Sequence, residues 1–167
     1  RAERDDWTSR PRHTPDDVRL VDVDASNVHA LRALATHRSQ QRFVSPMAVS
    51  LADALRPAAY NGAETLAMPF AIAADREVVG FAMIATAAGR PQGPENEPEL
   101  WRLLIDRRHQ RRGIGVRALG AVVAECRRMG ADALVLSWGE GRGSPRPFYE
   151  QAGFIPSLTF HPGTQCT

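Results

Sequence analysis

Glu99-Leu100-Trp101-Arg102-Leu103-Leu104-Ile105-Asp106-Arg107-Arg108-His109-Gln110-Arg111-Arg112-Gly113-Ile114-Gly115 is the stretch on which the reading of this chain turns. Its first half, Glu99–Asp106, is a compact apolar run and reads as a strand. A short polar loop follows, and then Val116, Leu119, Val122, Val123 and Cys126 recur at helical spacing across Ile114–Met129. Gly113 and Gly115 would let a ligand approach the backbone where that helix begins. The first turn of a helix offers unpaired N–H groups to phosphate oxygens, and its dipole favours an anion by about 0.3–1 kcal/mol. Arg102, Arg107, Arg108, Arg111, Arg112 and Arg117 crowd the same stretch and can add charge-assisted bonds. Glycines at a helix start serve close packing equally well, so the loop alone leaves both readings open.

Working upstream, Asp17–Val23 is a strand. Ser26 is placed to cap a helix that carries Val28, Leu31, Leu34 and Ala35 on one face. A second helix is expected near Ser50, with Leu51, Ala54 and Leu55 facing inward. Ala67–Ala74 and Val78–Ala87, joined by Asp75-Arg76-Glu77, read as an antiparallel hairpin. Downstream, Gly130 ends the long helix and Ala133–Trp138 is an apolar run suited to a sheet interior. Pro145–Ala152 is a short helix, and Phe154–Phe160 is expected as a last strand. The order β-α-α-β-β-β-α-β-α-β predicts an α+β fold, a mixed sheet flanked by helices. One domain over residues 17–167 would follow a charged, proline-broken arm over residues 1–16.

Composition removes several function classes. With 167 residues the chain suits one core, and a net charge of +2 gives no reason to expect a nucleic-acid partner. All 21 basic side chains are arginine, so neither a Walker A lysine nor a pyridoxal-phosphate Schiff base is available. Cys126 and Cys166 lack metal spacing, as do His29, His37 and His109, so no metal is expected. The sparse cysteines point to a reducing, cytoplasmic compartment. No apolar run approaches the ~18 residues of a membrane span. Gly113–Ala118 fits the dinucleotide fingerprint GxGxxA, yet polar residues separate it from the strand and Asp132 precedes the next one, against a Rossmann unit.

Two motifs together carry a resemblance. Gln110, Gly113 and Gly115 match the signature Gln/Arg-x-x-Gly-x-Gly/Ala of the GNAT superfamily of N-acetyltransferases. Phe148-Tyr149-Glu150-Gln151-Ala152-Gly153-Phe154 is similar to its second signature, on the far side of an intervening helix and strand. Gln41-Arg42-Phe43-Val44-Ser45-Pro46, Ser50–Ala54 and Leu100–Asp106 are similar to segments of bacterial spermine/spermidine acetyltransferases.

This resemblance implies a central, mostly antiparallel mixed sheet and acetyl-coenzyme A as co-substrate. The acceptor it implies is a small primary amine, with a polyamine the first candidate, attacking directly in a ternary complex. Leu103, Leu104 and Ile105 would line the pantetheine arm, and a backbone N–H there would stabilise the oxyanion. Gln110, Arg111, Arg112, Gly113, Ile114 and Gly115 would hold the pyrophosphate. Tyr149 would protonate the leaving thiolate. Glu97 or Glu99, with Glu95 third, would take the amine proton or attract a polycation. Phe43 and Trp101 would wall the alkyl stem. Where many relatives grip pantetheine with an asparagine this chain has Gly139–Ser144, leaving Arg142 or Ser144 to substitute. The family's final strand would be absent or supplied by a partner in a homodimer. The other acceptors left open are a protein amine or an aminoglycoside, and a domain that binds acyl-CoA without catalysis is also consistent.

Overall fold

The computed structural model describes residues 14–55, 58–60, 63–87 and 97–156. Its elements are β1 (Val18–Asp22), α1 (Val28–Arg32), a 3-10 turn (Arg38–Gln40), α2 (Met47–Ala54), β2 (Ala58–Tyr60), β3 (Ala63–Ala74) and β4 (Glu77–Ala87). They continue as β5 (Glu99–Ile105), α3 (Ile114–Arg128), β6 (Val135–Leu136) and α4 (Arg146–Gln151). The sheet runs β1-β3-β4-β5-β6, with β2 beside β1 along the outer edge of β3. Every pairing is antiparallel except that of β5 with β6. The fold is the expected α+β mixed sheet.

Strand alternation divides the core between the two faces of the sheet. Ala82, Ile84 and Leu100 face α3, meeting Ile114, Leu119 and Val122. Phe81, Met83 and Leu104 face the other way and meet Leu31 of α1, Leu34 just beyond it and Met47 of α2. Central β4 is therefore apolar on both sides, and each such side chain contributes about 1.5–3 kcal/mol on burial. The long helix α3 closes with Gly130 at φ +86 and the paired bonds Ala131 N–H to Cys126 O and Gly130 N–H to Arg127 O, a Schellman motif.

Several boundaries differ from expectation for local reasons. Helix α2 starts at Met47 rather than near Ser50, because Pro46 supplies the carbonyl to which Ser50 N–H donates at 3.0 Å. Leu55 falls past its last turn and points outward, 86% exposed. The Ser26 hydroxyl donates to Asp24 at 2.6 Å, so Asn27 takes the N-cap position of α1. The run Ala133–Trp138 yields only the two-residue β6. No strand forms over 154–156, and the rest of the expected last strand lies outside the described residues, as do residues 1–13 of the arm. Pro15 is buried, and Arg117 donates to the Pro15 and Asp16 carbonyls at 2.9 and 3.1 Å, so these residues lie against α3.

Candidate active site

The site begins with how β5 pairs. Asp106 N–H donates to Val79 O at 2.8 Å, which fixes the phase of the antiparallel ladder with β4. By alternation, Leu104 directs its backbone polar groups to β4, whereas those of Leu103 and Ile105 point to the opposite edge. On that edge β6 pairs only with Glu99 and Leu100. From Trp101 to Ile105, no described strand covers β5. A gap therefore opens between the later half of β5 and residues 137–144.

Ile105, Leu103 and Leu104 do not share one side of that gap. Leu103 and Ile105 pack on the α3 face, while Leu104 is buried among α1, α2 and Trp101. Two reversed backbone positions shape the loop at the end of β5, Arg111 at φ +62 and Gly113 at φ +72. Gly113 is the N-cap of α3, so Ile114, Gly115 and Val116 present N–H groups with no acceptor inside the helix. A Cβ at Gly115 would stand 3.2 Å from the Phe148 ring, so this glycine lets α3 pack against α4. The two motif glycines thus divide the roles that the sequence left open, conformation at Gly113 and packing at Gly115.

Most of the arginines gathered here are engaged. Arg108 Nε donates to Asp106 at 2.7 Å, and Arg112 Nη1 to His109 Nδ1 at 3.2 Å. Arg102 pairs with Asp53 at 3.4 Å. Arg111, exposed at its left-handed position, is the guanidinium beside the helix start. The Gln110 amide is also committed, since Nε2 donates to Ile105 O and to Gln40 Oε1, each at 2.9 Å.

Asp106 and His109 hold the loop from beneath. The Asp106 carboxylate, 1% exposed, accepts Ala35 N–H at 3.0 Å, Arg108 N–H at 2.9 Å and Arg108 Nε. Burial acts to raise its pKa, but these hydrogen bonds prevail and hold it below the usual carboxylate range. His109 is buried, and that burial pushes its pKa below the ordinary value.

On α4, packed against Trp138 after β6, stands Tyr149, 8% exposed. Its ring stacks on Trp138 with centroids 6.1 Å apart and meets the edges of Phe148 and Phe154 at 5.1 and 6.0 Å. Burial pushes the phenol up to about 12. Glu99 opens β5, with Ser137 Oγ 3.5 Å from its Oε1. Glu99 and Tyr149 are thus tied to neighbouring residues, Ser137 and Trp138, at the exit of β6. Glu97 is exposed just ahead of β5, and Glu95 lies outside the described residues.

Three of the expected site residues have intramolecular partners. Phe43 is no open wall: it lies 3.0 Å from where a Gly139 Cβ would be, with the Arg42 guanidinium 4.7 Å above its ring. Trp101 is half-buried in the α1–α2 core beneath Arg102. The Ser144 hydroxyl donates to Gly139 O at 2.7 Å and accepts Arg146 N–H at 3.2 Å, which spends it on its own loop. Trp138, Asp106 and Gln40 matter here and went unread in the sequence. Among the described residues no cluster of side chains could hold a metal, and no helix is long and apolar enough to cross a membrane.

A mixed sheet whose terminal parallel pair, β5 and β6, parts beside a helix N-terminus places the protein in the α+β class with an open sheet edge. The sequence model of the acetyltransferase (GNAT) family matches residues 30–154, and the chain belongs to that family. In sequence, no curated protein gives a significant match. Solved structures share the fold at low identity. A ribosomal-protein-alanine N-acetyltransferase from Brucella melitensis biovar Abortus 2308 superposes with a TM-score of 0.60 at 16% identity, over 87% of this chain and 95% of that one. The aminoglycoside 6'-N-acetyltransferase AAC(6')-IG from Acinetobacter haemolyticus gives 0.61 at 8% identity, over 89% and 97%. AAC(6')-Iy, in complex with a CoA-based bisubstrate analogue, gives 0.57 at 13%, over 89% and 98%.

Proposed function

We propose that this chain transfers the acetyl group of acetyl-coenzyme A to a primary amine of a small molecule, by direct attack within a ternary complex. The observation that carries the reading is the uncovered edge of β5, running between the N-terminus of α3 and buried Tyr149. The residues present fit the co-substrate. Unpaired helix N–H groups with Arg111 suit a pyrophosphate, and the outward backbone groups of Leu103 suit an amide-bearing arm. When bound, acetyl-coenzyme A supplies an activated thioester.

The chain's own groups then divide the labour. The N–H groups of Ile114, Gly115 and Val116, with the loop from Gln110, bind the pyrophosphate. Arg112, expected beside them, also donates to His109. The backbone N–H of Leu103 donates to the acyl oxygen as charge builds there. Glu99, with Glu97 behind it, takes the amine proton directly or through water. That removal is needed because an alkylamine with a solution pKa near ~10 is almost wholly protonated at neutral pH. As the C–N bond forms and the C–S bond breaks, the nitrogen sheds its second proton to solvent, and Tyr149 gives its proton to the leaving sulfur and regains one from solvent.

A polyamine is the acceptor we place first, on the likeness of residues 41–54 and on carboxylates at the mouth that suit a second ammonium. A protein amine flanked by acidic groups is favoured instead by Arg42 and Arg142, which put positive charge on the same side. Aminoglycosides come next, since two of the similar structures act on them. Cys126 is free and buried, its thiol pushed up to about 11 chiefly by burial, which suits a reducing cytoplasm. A homodimer is the assembly that would complete the sheet beside β6. Thiol release from acetyl-coenzyme A, assayed against polyamines, aminoglycosides and peptides, tests the proposal. Binding without turnover on any amine would instead indicate a non-catalytic acyl-CoA module.

A further inference from the structure

Residues 35–43 connect parts of the molecule that no strand connects. The segment folds on itself through Gln40 N–H to His37 O and Phe43 N–H to Gln40 O, both at 2.9 Å. At its start, Ala35 is held twice by the end of β5: its N–H donates to the Asp106 carboxylate at 3.0 Å, and its carbonyl accepts Arg107 N–H at 2.8 Å. At its far end it sits on the loop that follows β6. Arg42 Nη2 donates to Arg142 O at 2.5 Å. A Cβ at Gly139 would meet the Phe43 ring at 3.0 Å, and one at Gly143 would meet Ser39 O at 2.8 Å. The segment is a strap across the gap between β5 and the residues after β6.

Between these two anchorages lies one side-chain bond, Gln110 Nε2 to Gln40 Oε1 at 2.9 Å. Its direction is fixed. The Ile105 carbonyl can only accept, so Gln110 must turn its amide nitrogen inward, and Gln40 must then offer oxygen. Gln110 opens the loop whose N–H groups face the pyrophosphate. Anything that fixes that loop therefore fixes Gln40, and with it the strap.

We propose that Gln40 is a positioning residue through which seating of the cofactor orders the strap Arg38–Phe43 across the gap. This rests on the acetyl-coenzyme A reading given above. Because coupled free energies are reciprocal, order in the strap strengthens the hold of the cofactor loop in turn. One neutral hydrogen bond has a small net worth, which sets the expected coupling at about fivefold in affinity.

The test compares the wild type with Gln40→Ala and Gln40→Glu, using coenzyme A itself as the probe. Hydrogen exchange of the amides at 38–43 is followed alongside the thermal midpoint. In the wild type, coenzyme A should raise the midpoint and slow exchange across the strap. In Gln40→Ala the midpoint should still rise while the strap stays unprotected. Gln40→Glu, which keeps an accepting oxygen, should restore the protection. By titration, Gln40→Ala should also bind coenzyme A about fivefold more weakly, and Gln40→Glu should recover that affinity. Equal protection in wild type and Gln40→Ala, or a raised midpoint with no protection in the wild type, overturns the coupling. No rise in any of the three proteins would instead overturn the cofactor reading on which it rests.

Discussion

At Gly113 the backbone carries φ +72, whereas Gly115 lies in ordinary helix with the Phe148 ring 3.2 Å from where a Cβ would stand. Any side chain at Gly113 is strained whatever room surrounds it, at about 1–2 kcal/mol. Gly113→Ala should therefore lower the denaturation midpoint and weaken coenzyme A binding, because the first N–H groups of α3 move with the cap. Gly115→Ala asks only that Phe148 give way by a few tenths of an ångström, so it should leave the midpoint nearer wild type. Titration calorimetry beside urea melts separates the two, and equal losses would contradict the division of roles. Tyr149 is the other residue whose chemistry follows from its surroundings. With its phenol near 12 through burial, it stays protonated throughout any practical assay range. It can therefore serve as an acid without ever imposing a descending limb on the rate. Tyr149→Phe keeps the ring contacts with Trp138 and Phe154, so the fold should hold while kcat falls on the order of 10²-fold with the acetyl-coenzyme A KM little changed. An unchanged kcat would remove the phenol from the mechanism.

The loop between β5 and α3 is held as a unit, and His109 gives it a pH dependence. Arg112 can only donate, so its 3.2 Å bond to Nδ1 places the imidazole proton on Nε2, 3.4 Å from Glu77 Oε1. A second proton would have to sit on Nδ1 against Arg112. Burial is the main cause of the lowered pKa; Arg112 and Arg108 add to it, and Glu77 and Asp106 oppose it. A base lowered by folding contributes stability that is full above its unfolded value near 6.5 and is lost as pH falls through the folded value. The urea midpoint should thus drop from pH 7 to pH 5, and more steeply in wild type than in His109→Gln. Equal slopes would show that the imidazole is not the titrating group. Much of this element was legible beforehand, because a strand, a polar loop and an amphipathic helix with a glycine stop are written in local spacing. The partners were not. Gln40 lies 70 positions from Gln110, and nothing near either residue signals the other. Leu103 and Leu104 look equivalent in an apolar run, and only the phase of the ladder with β4 sends them to opposite faces. The loop bonds of the Ser144 hydroxyl were likewise invisible without the turn that makes them.

Across the whole molecule, the gap has walls from separate parts of the chain: β5 and the α3 loop on one side, and residues 137–144 with α4 on the other. The strap joins them. A ligand that touches both walls should stabilise the fold more than one that touches a single wall, since each added contact is lost on unfolding. On the proposed reading acetyl-coenzyme A would touch the α3 N-terminus and the open edge of β5, whereas inorganic pyrophosphate would reach only the loop. At a hundredfold excess over its dissociation constant, a ligand specific for the folded state adds about 2.7 kcal/mol. For a chain of this size that is roughly 5–10 °C in Tm. At equal millimolar concentration, acetyl-coenzyme A should therefore raise Tm by several degrees and pyrophosphate by much less. Raising the salt should erode the pyrophosphate shift first, because helix N–H groups and Arg111 hold it by charge at an exposed position. Gly113→Ala should diminish both shifts, while Tyr149→Phe should leave both in place. Equal shifts from the two ligands would mean that only the loop binds, and the uncovered edge of β5 would then have no part in the site.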